Sequence, residues 1–363
     1  MLCAVKTELG SSFATRVIDW QRRFGRHGLP WQGTRDPYRV WLSEVMLQQT
    51  QVATVLRYYD RFLLRFESIE ALAAASLDDV FAHWSGLGYY SRARHLHRCA
   101  QVVMAEHGGR FPESAAQLMQ LPGIGRSTAA AIAAFCFGER AAILDGNVKR
   151  VLARVLAFDG NLAEPAPLRS LWAHAEALLP EDTIDVYTQG LMDLGADVCL
   201  ARAPRCVACP VSDLCAARAR GTPTRFPAKR PALRRGRREH VWLWLAWREH
   251  LWLLPRPSRG IWAGLWSLPE FEAVDDFVRV TADWPGAFES LPSFTHALTH
   301  LDWTLHPRRW HVPPTLPAAR LGKLTANWPE GRWFDRDAAL ALGLPAPLRR
   351  LLSAPVREAI EAG

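Results

Sequence analysis

The sequence predicts a mainly α-helical first part followed by a smaller α+β part, and three observations carry that prediction. Residues 1–219 are rich in Leu and Ala, with apolar positions at helical spacing. From about Glu239 onward the chain holds eleven of its sixteen tryptophans, in short strand-like runs such as VWLWLAW separated by Pro and Gly. Between them, residues 220–238 are rich in proline and arginine without apolar periodicity, which reads as an extended linker. A chain of 363 residues that is 49% hydrophobic can bury two cores, so the expected division is 1–219, 220–238 and 239–355.

Taken in order, apolar residues recur at helical spacing from Thr15 to Phe24, and GRHGLPW (residues 25–31) breaks that helix. Asp36-Pro37 starts a second helix, Tyr38 to about Gln49, with Glu44 inside a nearly unbroken apolar run. Desolvation there would raise the carboxyl pKa toward the range where it can donate a proton, making Glu44 a candidate general acid. Pairing with an arginine is the structural alternative.

The stretch LPGIGRSTAAAIAAFCFGERAAILDGNVKR, residues 121–150, opens on a Pro-Gly turn and a Gly-x-Gly, continues into an alanine-rich helix, and closes on Asp145-Gly-Asn. Gly123 and Gly125 permit torsions closed to other residues, so amide N–H groups can face an anion at the start of the next helix. An ordinary turn between helices fits LPGxG equally well. A lone Asp-Gly is usually a turn; here Lys149, one of only four lysines, stands close to Asp145.

The excess of 44 Lys and Arg over 36 Asp and Glu gives a net charge of +8, which suits a polyanionic partner. The N-terminus lacks a signal peptide's apolar core, and no apolar run reaches the ~18 residues of a membrane span. A soluble, intracellular protein is expected.

Cys199, Cys206, Cys209 and Cys215 form a C-x6-C-x2-C-x5-C run. Four thiolates at such spacing bind metal, and the residues alone allow zinc or a 4Fe-4S cluster. A disulfide fits poorly, because a two-residue gap strains the bridge. Cys3, Cys99 and Cys136 have no partners in sequence and are expected to be inert thiols.

Several of these strings, WLSEVMLQQTQVATV around Glu44, WSGLGYYSRARHLH, LPGIGRSTA, ILDGNVKRVLAR and MDLGADVC, resemble segments of the MutY family of adenine DNA glycosylases in the same order, over most of residues 15–216. The resemblance implies a helix-hairpin-helix domain plus an iron-sulfur cluster domain, followed by a Nudix-like α+β domain. A monomeric enzyme, cytoplasmic and associated with the bacterial nucleoid, is expected. Its partner would be double-stranded DNA containing adenine opposite 8-oxoguanine or guanine, and it would remove that adenine.

By the same resemblance, Glu44 protonates the base, Asp145 stabilises the sugar cation, and Asn147 orients Asp145 or a water. Residues matching Leu47, Gln49 and Tyr89 probe or wedge the duplex, whereas without the family Leu47 and Tyr89 would read as core. Arg26, Trp31 and Gln189 would line the adenine pocket. Ser127 stands where lyases of the endonuclease III type carry a nucleophilic lysine, which implies a monofunctional glycosylase that uses water. The cysteine spacing is similar to the family's 4Fe-4S loop. RPSRGIWAGLWSLPEF resembles the family's Nudix-like domain. Gly264 and Glu270 fit the opening of a Nudix box, but residues 278–283 (VRVTAD) lack its further glutamates, so recognition without hydrolysis is expected. Leu298, Thr299 and His300 match a Phe-Ser-His loop that reads the damaged guanine, with Leu298 in place of the aromatic ring. The rival readings are a pyrimidine glycosylase/lyase of the endonuclease III type and a non-catalytic lesion binder; Ser127 weighs against the first, the Glu44 and Asp145 pair against the second.

Overall fold

The computed structural model describes the backbone of residues 2–228 and 235–354, and side chains from Ser12 onward. Lys229, the middle of the expected linker, the side chain of Cys3 and residue 355 lie outside the described residues. The chain gathers into two compact units, one of residues 1–74 with 95–231 and one of residues 75–94 with 232–363.

In the first unit the opening helix, Leu2–Phe24, packs along Ile184–Asp193. Phe13, Ala14, Val17 and Ile18 are buried there together with Tyr187 and Leu191. The helix starts at Leu2, well ahead of the pattern at Thr15, because no proline interrupts it.

Helix Pro37–Leu47 starts as expected: Asp36 caps it by accepting the Tyr38 N–H at 2.9 Å, and Pro37 occupies the first turn. Seven of its side chains, Tyr38, Val40, Trp41, Leu42, Ser43, Val45 and Met46, are buried, which makes Glu44 the one carboxylate in an otherwise sequestered helix. The helix ends at Leu47 instead of Gln49, because Gln49 turns left-handed with φ of 56°.

The hairpin runs from the short helix Ala115–Leu118 through the turn to Arg126–Ile132, continues as a π-helical turn over Ala133–Phe137, and stops at left-handed Gly138. Gly123 has φ of +77°, and a Cβ on it would lie 2.6 Å from the Cβ of His95, so the turn requires glycine there. Gly125 corrects the sequence reading: its φ of −85° is open to any residue. Beyond a buried segment, Ala142–Leu144, Asp145 caps helix Gly146–Val155 through the Val148 N–H at 2.7 Å.

The second unit contains one mixed sheet of eight strands: β1 (Gly236–Trp247), β2 (His250–Pro255), β3 (Trp266–Ser267), β4 (Glu270–Phe271), β5 (Ala287–Ser290), β6 (Phe294–Ala297), β7 (Leu301–Val312) and β8 (Arg332–Asp335). β1 and β7 pair in parallel from Gly236 opposite Leu301 to Trp247 opposite Val312, and the other pairings are antiparallel. The unbroken apolar run in β1 follows from burial on both faces. Val241, Leu243 and Leu245 join one core with Phe277, Trp310 and Leu321, while Trp242 points into another with Trp303, Leu305, Leu344 and Leu348.

Candidate active site

Five residues singled out in the sequence, Arg26, Trp31, Glu44, Leu47 and Gln189, line one cavity of about 470 Å³ in the first unit. That volume suits a ligand the size of a nucleobase with room for part of its sugar. Glu44 is half-buried at its wall and has no ion-pair partner among the described residues, which rejects the arginine-paired alternative. Burial, and secondarily the negative charge of Asp145, push its pKa up to about 8. The carboxyl therefore carries a proton at neutral pH while facing the cavity.

Asp145 is not one of the residues lining that cavity, but it is close enough for its charge to act on Glu44. Burial raises the Asp145 pKa as well. Opposing this, the backbone N–H groups of Val148 and Asn147 and the cations Arg150 and Lys149 favour the anion. Glu44 has no such helpers, so of the two carboxyls it is the one that holds the proton.

Asn147 Oδ1 accepts from Arg150 at 2.8 Å, and the Asn147 backbone N–H serves Asp145. The Ser127 hydroxyl accepts the Leu144 N–H at 2.9 Å and so ties the hairpin helix to the residue preceding Asp145. Lys149, half-buried, stands in the same turn.

Arg26 and Gln189 share an anchor that the sequence reading missed. Asp193 is fully buried, and its carboxylate accepts the Arg26 backbone N–H at 2.9 Å, the Arg26 guanidinium at 2.7 and 2.6 Å, and Gln189 Nε2 at 2.7 Å. The available signal was a second polar residue four positions after Gln189 on an apolar helix face.

Neither Gln49 nor Tyr89 is a core residue. Both hold left-handed backbone, φ 56° and 49°, and both are exposed. Such torsions cost energy in side chains with a Cβ and cluster where function demands a set presentation. In the second unit, the Tyr89 hydroxyl lies 3.3 Å from the Thr299 hydroxyl. Leu298, Thr299 and His300 form the connection between β6 and β7, with Thr299 and His300 exposed and Leu298 packed against the core beside it.

The thiols of Cys199, Cys206, Cys209 and Cys215 are unpaired and surround a single cavity with apolar walls. Among the described residues, no three His, Cys, Asp or Glu side chains converge on one point as a single ion would require. Buried Arg154 threads this loop, donating to Cys199 Sγ and to the carbonyls of Cys199, Leu200, Ala201 and Phe226 at 2.7–3.2 Å. Arg150 also reaches it, through the Cys199 carbonyl at 2.8 Å.

Residues 42–173 match the model of the HhH-GPD superfamily base excision DNA repair proteins, and residues 241–354 that of the NUDIX domain. The adenine DNA glycosylase of Buchnera aphidicola subsp. Baizongia pistaciae is 33% identical over 345 residues, 94% of this chain and 96% of that one. The chain belongs to the MutY family of adenine DNA glycosylases.

It is accordingly a DNA glycosylase of the base excision repair type. The human adenine DNA glycosylase is 42% identical over 219 residues, 58% of this chain and 40% of that one. Among solved structures, a thermostable thymine-DNA glycosylase matches with a TM-score of 0.54 and 29% identity, covering 61% of this chain and all of that one. An endonuclease III–DNA complex, at a TM-score of 0.50 and 21% identity, shares the fold. The MutY-type chain keeps its Nudix-like Glu270 occupied. Its carboxylate takes Arg256, lies 3.4 Å from His240, and accepts the Trp242 indole N–H at 3.2 Å, leaving it no freedom to hold magnesium. Cys99 and Cys136 are buried, each with its pKa pushed up to about 12, which makes them unreactive. No helix among the described residues is long and apolar enough to cross a membrane.

Proposed function

We propose that this enzyme removes adenine mispaired with 8-oxoguanine or guanine in double-stranded DNA, working as a monomer on the nucleoid in the cytoplasm, and that it leaves an abasic site without cutting the strand. The observation that carries this reading is a protonated Glu44, pKa about 8, at the wall of one base-sized cavity, with Asp145 close enough for its charge to act on it.

The adenine turns out of the duplex into the cavity, at a cost of a few kcal/mol of unstacking. Glu44 transfers its proton to N7, the N-glycosidic bond breaks with its electron pair passing to the base, and neutral adenine leaves. Asp145 stabilises the oxocarbenium-like sugar by its charge, and water adds to C1′ and releases a proton. Arg26, Trp31 and Gln189 hold the base, while Gln49, Leu47 and Tyr89 fill and wedge the duplex it vacates. Gly123, Gly125 and Ser127 place the hairpin against the backbone. Thr299 and His300 read the opposite base; Leu298, packed inward, holds their loop and contributes no stacking ring.

Cys199, Cys206, Cys209 and Cys215 would hold a 4Fe-4S cluster. Their free thiols line one cavity, and their C-x6-C-x2-C-x5-C spacing, similar to the family's cluster loop, supports this reading. When bound, the cluster supplies rigidity to the loop and no chemistry to the base. The test is single-turnover release of adenine from a duplex carrying adenine opposite 8-oxoguanine, scored with and without alkali, for wild type and Glu44→Gln. Release that Glu44→Gln abolishes, with strand cutting only after alkali, is the expected result. Tight binding with no release would make the protein a lesion binder, and cutting without alkali would make Lys149 a nucleophile.

A further inference from the structure

We propose that Asp193 is a positioning residue that sets which way the Gln189 amide faces, and that it thereby makes the cavity select a 6-amino purine over a 6-oxo purine. The inference rests on the glycosylase reading above and names what that reading leaves open: the origin of the choice between bases.

The argument begins with what Asp193 can do. An ionised carboxylate only accepts hydrogen bonds. Asp193 is fully buried, so each of its neighbours has to be a donor or leave an uncompensated charge. The donors present are the Arg26 backbone N–H, its guanidinium, and one edge of the Gln189 amide at 2.7 Å. The Arg26 donors are fixed by the charge and by the chain. A Cβ on the preceding Gly25 would come 3.0 Å from Asp193 Oδ2 and 2.6 Å from the Gln21 carbonyl, so the chain passes here at the closest approach that glycine allows.

Gln189 alone has a choice, since its two edges differ only in donating or accepting. Facing Asp193, it must present Nε2. Its Oε1 then has no protein donor among the described residues, and Gln189 lines the cavity. The free acceptor suits the exocyclic N6–H of adenine. It opposes O6 of hypoxanthine or guanine, where two acceptors would meet in a partly desolvated site. Glu44 acts at N7, which both kinds of purine share, so the acid step does not distinguish them. Discrimination by orientation is then separable from catalysis.

The experiment compares single-turnover release of adenine and of hypoxanthine, each opposite 8-oxoguanine, in wild type, Asp193→Asn, Gln189→Met and the double variant. Asp193→Asn supplies a donor and an acceptor, so the Gln189 amide can turn over. The expected result is an adenine-to-hypoxanthine rate ratio that falls about tenfold or more in each single variant and no further in the double. A ratio unmoved by Gln189→Met overturns the proposal in any background. So does an Asp193→Asn variant that slows both bases equally, the mark of a merely structural role through Arg26. If Asp193→Asn does not fold, Asp193→Glu, which keeps the acceptor charge, has to hold the ratio while Gln189→Met loses it; any other outcome overturns the inference. Wild-type protein that releases no adenine would sink the functional reading and this one with it. Wild-type release with an unmoved ratio would sink this inference alone.

Discussion

Tyr89 and Thr299 stand 210 residues apart in sequence and meet hydroxyl to hydroxyl at 3.3 Å. The residue expected to wedge the duplex and the residue expected to read the opposite base thus belong to one compact unit. The backbone around Tyr89 is fixed by Arg92, which lies over the Tyr89 and Trp84 rings and donates to the Leu87 and Gly88 carbonyls. Tyr89→Phe and Thr299→Val should each weaken binding to a duplex containing 8-oxoguanine by roughly 1 kcal/mol, and the double variant by less than the sum. Titration of the four proteins with labelled duplex checks this; strict additivity would mean that the two hydroxyls act separately.

The raised pKa of Glu44 has two consequences of defined sign. The acid is competent only while protonated, so adenine release should fall as pH rises through about 8. For stability, the folded state binds this proton more tightly than the unfolded chain does. The contribution is full below the unfolded carboxyl pKa and is lost as pH rises from there to about 8. Glu44→Gln should therefore melt higher than wild type at pH 8.5, by on the order of 2 kcal/mol, although its activity falls about 10²-fold or more. Calorimetry from about pH 4 to pH 9, a range spanning the unfolded and folded pKa values, shows whether the curves diverge in this direction.

Ser127→Ala should cost more than an exposed serine would. It leaves the Leu144 N–H without its acceptor next to Asp145, a loss of about 1–3 kcal/mol. Release of adenine should slow. Equal activity in the variant would show that the Asp145 cap does not depend on the hairpin.

Arg154→Met is the sharpest test of the cysteine loop. The guanidinium satisfies five acceptors on four residues, and an aliphatic side chain of similar length satisfies none. We expect a loss of roughly 3 kcal/mol or more in thermal stability and reduced iron content after purification. Full iron occupancy and unchanged melting would exclude a role for Arg154 in holding the loop.

Much of the fold and the site is legible in the sequence, wherever local chemistry decides. The Asp36-Pro37 helix start, the strand-like run VWLWLAW and the lone carboxylate of Glu44 all follow from neighbours a few positions away. What the sequence hides depends on distant partners. That Arg150 reaches the Asn147 Oδ1 is set by the fold and is not marked by any motif. Asp193 and Arg154 look like stray charges in apolar runs until the acceptors and donors around them are assembled by folding. Glu270, which fits a metal-binding spacing, is claimed by Arg256 across the sheet.

The left-handed torsions at Gln49 and Tyr89 bear on how this protein would respond to selection. Each costs about 1 kcal/mol or more while no DNA is bound, and glycine would relieve it at the loss of the side chain. A screen for heat resistance that ignored repair would thus drift toward glycine at both places. One that scored mutation rate would hold the bulky residues and accept a lower melting point.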